Sequence, residues 1–278
     1  MGGHDPAAVA VTCTASCVSE QGGEDVPVAW QRYVAIGDSF TEGVGDPAPD
    51  GSLVGWADRL ATHLSAAQGE VEYANLAVRG RLLGQVVDEQ VPAALALAPD
   101  LVSIVAGGND LLRPGADPDA LAAVMEDAVL RLRAAGADVL LATGVDPRAT
   151  PIIGRTRGRS ATYNAHLWSI AARHGAYVLD QWGAAWVQDA RMWDVDRLHL
   201  APEGHRRTAL AAAAVLGLDV EPGWSTPLDP APELPRRERL AGELAWVRSF
   251  VVPWVGRRVR GRSSGDGRTA KRPVPTPA

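Results

Sequence analysis

The fold is decided first by the stretch RYVAIGDSF, residues 32–40. Its first five positions, Arg32 and four apolar residues, form a short run that Gly37 closes, and this is the pattern of a strand buried inside a sheet. Ser39 follows two positions later, at the predicted turn from the strand into a helix. A side chain at such a turn projects above the edge of the sheet.

Four more runs of this kind follow, and helical patterns separate them. We predict strands at 71–75, 100–106, 138–143 and 177–180, and helices at 55–67, 82–90, 117–135, 160–174 and 202–216. Apolar strands that alternate with helices are typical of a parallel sheet covered on both faces. The sequence therefore predicts an α/β fold of three layers, α/β/α, around a five-stranded parallel sheet.

The chain divides into three predicted parts. Residues 1–30 lack periodicity and are interpreted as a loosely ordered leader, and residues 31–220 hold the alternating pattern of the main domain. Residues 221–278 begin with a Pro-rich linker. An amphipathic segment at 237–258 follows, and Pro253 is expected to break or kink it. The basic end, 261–278, is rich in Pro, Gly and Ser and is predicted to be disordered.

Composition narrows the classes of function. The net charge of −6 excludes a global basic field for nucleic acid, so no nucleic-acid partner is predicted. Cys13 and Cys17 imply no disulfide scaffold, and they are interpreted as two free thiols, with a local clip as the alternative. The first thirty residues do not resemble a signal peptide, and no run approaches the ~20 apolar residues of a membrane span. A cytoplasmic protein is predicted, and its oligomeric state stays open.

Three residues have the chemistry of nucleophilic catalysis. A serine hydroxyl is a poor nucleophile until a base removes its proton, and a histidine suits that role near neutral pH. A carboxylate must fix the tautomer of that histidine. Asp196 and His199 are three positions apart, so one turn can bring them into contact. With Ser39 they form a candidate Ser-His-Asp triad.

Acyl transfer also needs hydrogen-bond donors for the oxyanion that develops at the carbonyl. Gly80 can offer a backbone N–H that no side chain obstructs, after the second predicted strand. Asn109 can offer its side-chain amide after the third strand, and Ser39 can add its own backbone N–H. Sites of parallel sheets form beyond the carboxyl ends of strands, so these three donors are predicted to converge.

Four blocks together resemble the SGNH hydrolase superfamily, also called the GDSL family. They are Gly37-Asp38-Ser39-Phe40, Gly80 five positions after Asn75, Gly107-Gly108-Asn109-Asp110, and Asp196-Arg197-Leu198-His199. Phe40 stands where the name-giving pattern has leucine, and Ala77 where relatives often have glycine or serine. The resemblance implies a flavodoxin-like fold, Ser39, Asp196 and His199 as the triad, and Ser39, Gly80 and Asn109 as the oxyanion hole.

The sequence thus predicts a serine esterase that cleaves a small-molecule ester through an acyl-enzyme, with no cofactor and no metal. A non-catalytic binding module, a carbohydrate O-deacetylase and a thioesterase remain the alternatives, because nothing in the sequence fixes the acyl group. A classical α/β-hydrolase is rejected, since Ser39 lacks the second glycine of the Gly-x-Ser-x-Gly elbow. The amphipathic segment is expected to dock on the domain. Weak contact of the basic tail with an anionic membrane surface is the alternative.

Overall fold

The computed structural model describes residues 29–150, 153–232 and 235–278. The predicted leader lies outside these residues up to position 28, and so do Cys13 and Cys17. No helix within the three described ranges is long and apolar enough to cross a bilayer.

A single sheet organises the described chain. Its strands are β1 (Arg32–Gly37), β2 (Glu72–Asn75), β3 (Leu101–Val105), β4 (Asp138–Ala142), β5 (Tyr177–Leu179) and β6 (Arg272–Pro277). They lie side by side in the order β5-β4-β3-β1-β2-β6. The first five run parallel, in the flavodoxin-like order, and confirm the prediction. The order reverses between β1 and β3, and ligand sites of such sheets form at that reversal.

Helices cover both faces of the sheet. They are α1 (Ser39–Glu42), α2 (Gly55–Gln68), α3 (Leu83–Gln85), α4 (Val91–Ala96), α5 (Gly108–Leu111), α6 (Pro118–Ala134), α7 (Arg157–His174), α8 (Pro202–Val215), α9 (Arg236–Trp246) and α10 (Val252–Val259). Alternate residues of β1 enter two different cores. Val34 and Ile36 pack with α3, α4, α6 and α7, whereas Tyr33 and Ala35 pack with α2 and α8. This alternation explains why the strands are apolar throughout.

The sixth strand differs from the sequence prediction, which made residues 261–278 a disordered tail. β6 pairs antiparallel with β2, and Tyr73 lies opposite Thr276. The amine of Lys271 just before it contacts the Asp58 carboxylate at 2.5 Å. Without β6, β2 would be an open edge with unpaired backbone groups. Prolines are compatible with the outermost strand of a sheet, and the composition of the tail therefore misled the prediction.

The segment 236–259, called the cap below, also differs in part from its prediction. It is helical throughout, because a π-helical turn at Val247–Val251 joins α9 to α10 just before Pro253. The cap docks on the domain, as expected, but through the side of the helix that carries Trp246 and Phe250. Leu240 and Leu244, which belong to the predicted amphipathic segment, are exposed to solvent.

Candidate active site

The nucleophile block follows directly from the end of β1. Gly37 has a φ of +145°, and a Cβ atom there would lie 2.2 Å from the carbonyl oxygen of Val105. Only glycine therefore allows β1 and β3 to approach so closely at this point. Asp38 caps α1 by accepting a hydrogen bond from the Phe40 amide at 3.1 Å. Ser39 is the first residue of α1 and is half-buried.

Two buried amide side chains hold this turn in place. Gln90 accepts a hydrogen bond from the Gly37 amide at 2.7 Å and donates one to the Gly37 carbonyl at 2.9 Å. Asn75 donates to the Thr41 carbonyl at 2.8 Å and thereby ties β2 to α1. Sequence analysis missed Gln90, because a lone glutamine within a helical pattern gives no signal of such a contact.

The closing block forms a tight loop in which Asp196 and His199 meet. Oδ2 of Asp196 lies 2.6 Å from Nδ1 of His199, and Oδ1 accepts from the amides of Leu198 and His199, each at 2.9 Å. Burial by itself would raise the pKa of Asp196. The hydrogen bond with His199 and the two amides outweigh it and hold that pKa below its ordinary value. The carboxylate is therefore ionised near neutral pH and can accept a hydrogen bond from the Nδ1–H of His199.

A cavity of about 900 Å³ joins the two blocks. Ser39 and His199 both line it, and Asp196 lies behind His199. Most of its other walls are apolar, and the cap supplies one of them. The apolar side chains at the cavity include Phe40, Val105, Leu111, Leu112, Val145, Ile153, Val187, Trp193, Trp246 and Phe250.

Asn109 also lines the cavity, from α5, the short helix that follows β3. Its amide nitrogen donates to Oδ2 of Asp38 at 3.1 Å and to the carbonyl of Arg81 at 3.0 Å. Burial raises the pKa of Asp38 to about 6, although the Phe40 amide and nearby His199 favour its charged form. Asp38 thus orients Asn109 toward the start of α1. The position of Asp38 next to Ser39 in the sequence did not indicate this contact.

Gly80 is placed differently from Ser39 and Asn109. It has a φ of +76° and is not among the described residues that line the cavity. Ser263, which follows the cap, donates to its carbonyl at 3.2 Å, and a Cβ atom on Gly80 would lie 2.2 Å from that hydroxyl. The chain after the cap therefore packs directly on the glycine block, which the sequence did not indicate.

Arg79, next to Gly80, pairs with the buried Glu42. The guanidinium of Arg79 contacts the Glu42 carboxylate at 2.6 Å, and the Arg79 amide donates to the same carboxylate at 2.6 Å. This pair joins α1 to the glycine block. His205 is fully buried and makes a separate set of contacts. It bonds the Trp56 amide and the Val44 carbonyl, both at 3.1 Å, and these groups lie outside the loop of His199.

Comparisons with known proteins identify the family and the fold of this chain. The model of the GDSL-like Lipase/Acylhydrolase family matches residues 35–207. The solved structure of TesA is similar over 67% of this chain and 98% of its own, with 23% identity and a TM-score of 0.55. LAE5, an alpha/beta hydrolase enzyme from the metagenome of Lake Arreo, Spain, is 23% identical. The match covers 67% of this chain and 95% of LAE5, with a TM-score of 0.57.

A third solved structure is that of Axe2, an acetylxylan esterase from Geobacillus stearothermophilus. It is 21% identical over 68% of this chain and 95% of its own, with a TM-score of 0.58. At these identities the three structures support the fold alone. No curated protein is similar enough in sequence to be matched with this chain.

Proposed function

Since this chain belongs to the GDSL-like lipase/acylhydrolase family and is a carboxylic ester hydrolase of the SGNH type, we propose that Ser39, His199 and Asp196 are its catalytic triad. The observation that carries the proposal is the contact of 2.6 Å between Oδ2 of Asp196 and Nδ1 of His199. The imidazole of His199 lines the same cavity as Ser39. An Nδ1–H donated to Asp196 leaves Nε2 of His199 as the base.

The proposed reaction has two stages. Nε2 of His199 takes the proton of the Ser39 hydroxyl while the oxygen attacks the ester carbonyl, and the resulting imidazolium is stabilised by Asp196. Collapse of the tetrahedral intermediate releases the alcohol, which receives the proton from His199. Water, deprotonated by the same imidazole, then attacks the acyl-enzyme and frees the carboxylic acid together with the Ser39 hydroxyl.

The oxyanion of each intermediate is assigned to the Ser39 amide, the Gly80 amide and the side chain of Asn109. Support comes from the position of Ser39 and Asn109 at the same cavity. The Asn109 amide already donates to two oxygens, so it must share or exchange one of them when the oxyanion forms. The Gly80 amide is included because the glycine block resembles that of the family, and the hydroxyl of Ser263 donates to the Gly80 carbonyl and leaves the amide of Gly80 unbonded by that contact.

We infer the substrate class from the lining of the cavity. Its walls are mostly apolar, and the cap adds Trp246 and Phe250 to them, as expected for a site that binds an apolar acyl group. We therefore place esters of longer fatty acids before acetylated sugars as substrates. A cytoplasmic location and the absence of a cofactor stay predictions.

The test compares two serines of the same cavity. Ser39→Ala should lower the turnover of a p-nitrophenyl ester by about 10⁴-fold or more and abolish labelling by a fluorophosphonate probe. Ser160 also lines the cavity, and Ser160→Ala is the matched control that should keep both properties. Labelling and turnover that survive in Ser39→Ala would reject the triad. Absence of both in the wild type would favour the non-catalytic binding module.

A further inference from the structure

The outer face of the cap is apolar and faces solvent. Leu244 is 64% exposed, Val252 59% and Leu240 56%, and Val255 lies on the exposed side too. The opposite side of α9 lines the cavity through Trp246, and the π-helical turn that follows lines it through Phe250. A helix that is apolar on both sides and covered on only one leaves a face that needs a partner.

The charge of the cap indicates what kind of partner covers this exposed face. The cap, residues 236–259, holds six arginines and two glutamates, although the whole chain has a net charge of −6. Arg237 and Arg248 are exposed and lie one to two turns from Leu244, at spacings that place all three on one side of the helix. Exposed leucines and valines flanked by arginines are the pattern of a helix that lies in a membrane interface.

We propose that the outer face of the cap binds an anionic lipid surface. Leu240, Leu244, Val252 and Val255 enter the boundary between headgroups and acyl chains, and the arginines contact the anionic headgroups. This contact belongs to the cap, whereas the basic tail beyond it contributes a strand to the sheet. The cap is one helix thick, so its lipid-bound state holds the cavity about 10 Å from the surface.

Binding is measured by sedimentation of the full chain with sucrose-loaded vesicles of phosphatidylcholine, with and without phosphatidylglycerol. The chain should sediment with the anionic vesicles and stay in the supernatant with the zwitterionic ones. Raising the salt concentration should release it, because counterions screen the arginines. Equal binding to both kinds of vesicle, or binding to neither, would overturn the proposal.

Two sets of variants locate the contact. The double variant Leu240→Gln, Leu244→Gln should weaken partitioning about tenfold or more, since two exposed leucines no longer enter the bilayer. Arg237→Gln and Arg248→Gln should each weaken it about fivefold. Leu130→Gln is the matched control, because Leu130 is an exposed leucine of α6, away from the cap. Wild-type binding by the double variant would refute the assignment of this face.

Two further measurements separate this proposal from others. Ser39→Ala should bind vesicles as the wild type does, so the surface contact can stand even if the proposed triad fails. Light scattering with size-exclusion chromatography tests a second copy of the chain as the occupant. A dimer of the wild type that Leu240→Gln, Leu244→Gln converts to a monomer would assign the face to self-association and overturn the lipid contact.

Discussion

The wall of the cavity formed by the ends of β1, β2 and β3 differs from the wall formed by the cap in how its residues are held. On the strand side, Gln90 clamps Gly37 and Glu42 pairs with Arg79, and both clamping side chains are buried. On the cap side, Arg197 and Glu243 form an ion pair at 2.7 Å between side chains that are 42% and 51% exposed.

The two kinds of contact have different free energies. Buried hydrogen bonds and ion pairs are strong because breaking them leaves a polar group without water. Exposed ion pairs contribute at most about 1 kcal/mol. A further contact of the cap is a hydrogen bond of 2.9 Å from the Trp246 indole to the Asp196 carbonyl. The strand side is therefore held more firmly than the cap.

The largest effect is expected on the strand side. Asn109→Ala should lower kcat by about 10²–10³-fold with a small change in KM, because the amide acts on the charge that develops in the transition state. Steady-state kinetics on a p-nitrophenyl ester measures both constants. A kcat close to that of the wild type would remove Asn109 from the proposed oxyanion hole.

The second expected effect is on stability. Glu42→Gln should lower the free energy of unfolding by about 2 kcal/mol, since the buried partner of Arg79 loses its charge. Glu72→Gln is the matched control. It removes the charged partner of Arg32 in a pair that is more exposed, with 36% of the Arg32 side chain and 42% of the Glu72 side chain accessible. The free energy of unfolding should fall by less than about 1 kcal/mol. Urea denaturation measures both, and equal losses would contradict the contrast between buried and exposed pairs.

The smallest effect is expected from the cap. Phe250→Ala should lower kcat/KM for a decanoate ester about tenfold and leave an acetate ester nearly unchanged, since only the longer chain reaches this wall. Leu244→Ala, on the outer face of the same cap, is the matched control and should leave both esters unchanged. An equal loss on both esters would mean that Phe250 supports the fold of the site and does not select the acyl group.

The parts of this structure that sequence predicts well are those with a local pattern. The five parallel strands were apparent from short apolar runs, and the Asp196–His199 contact from a spacing of three. Gln90, Glu42 and Ser263 were not predicted, because each contacts a residue far away in the chain and nothing near it in sequence marks that contact. The basic, Pro-rich end at 261–278 was predicted to be disordered from its composition, and no local pattern shows that β2 needs a neighbour at its edge.

The position of β6 has a consequence for synthesis of the protein. β2 is made early, yet the strand that pairs with its outer edge is the last of the six to leave the ribosome. Until then, the nascent sheet presents unpaired amides and carbonyls that any foreign strand can match. The chain is therefore exposed to misassembly in the interval between the synthesis of β2 and that of β6. A chaperone that shields the edge of β2 would act in this interval.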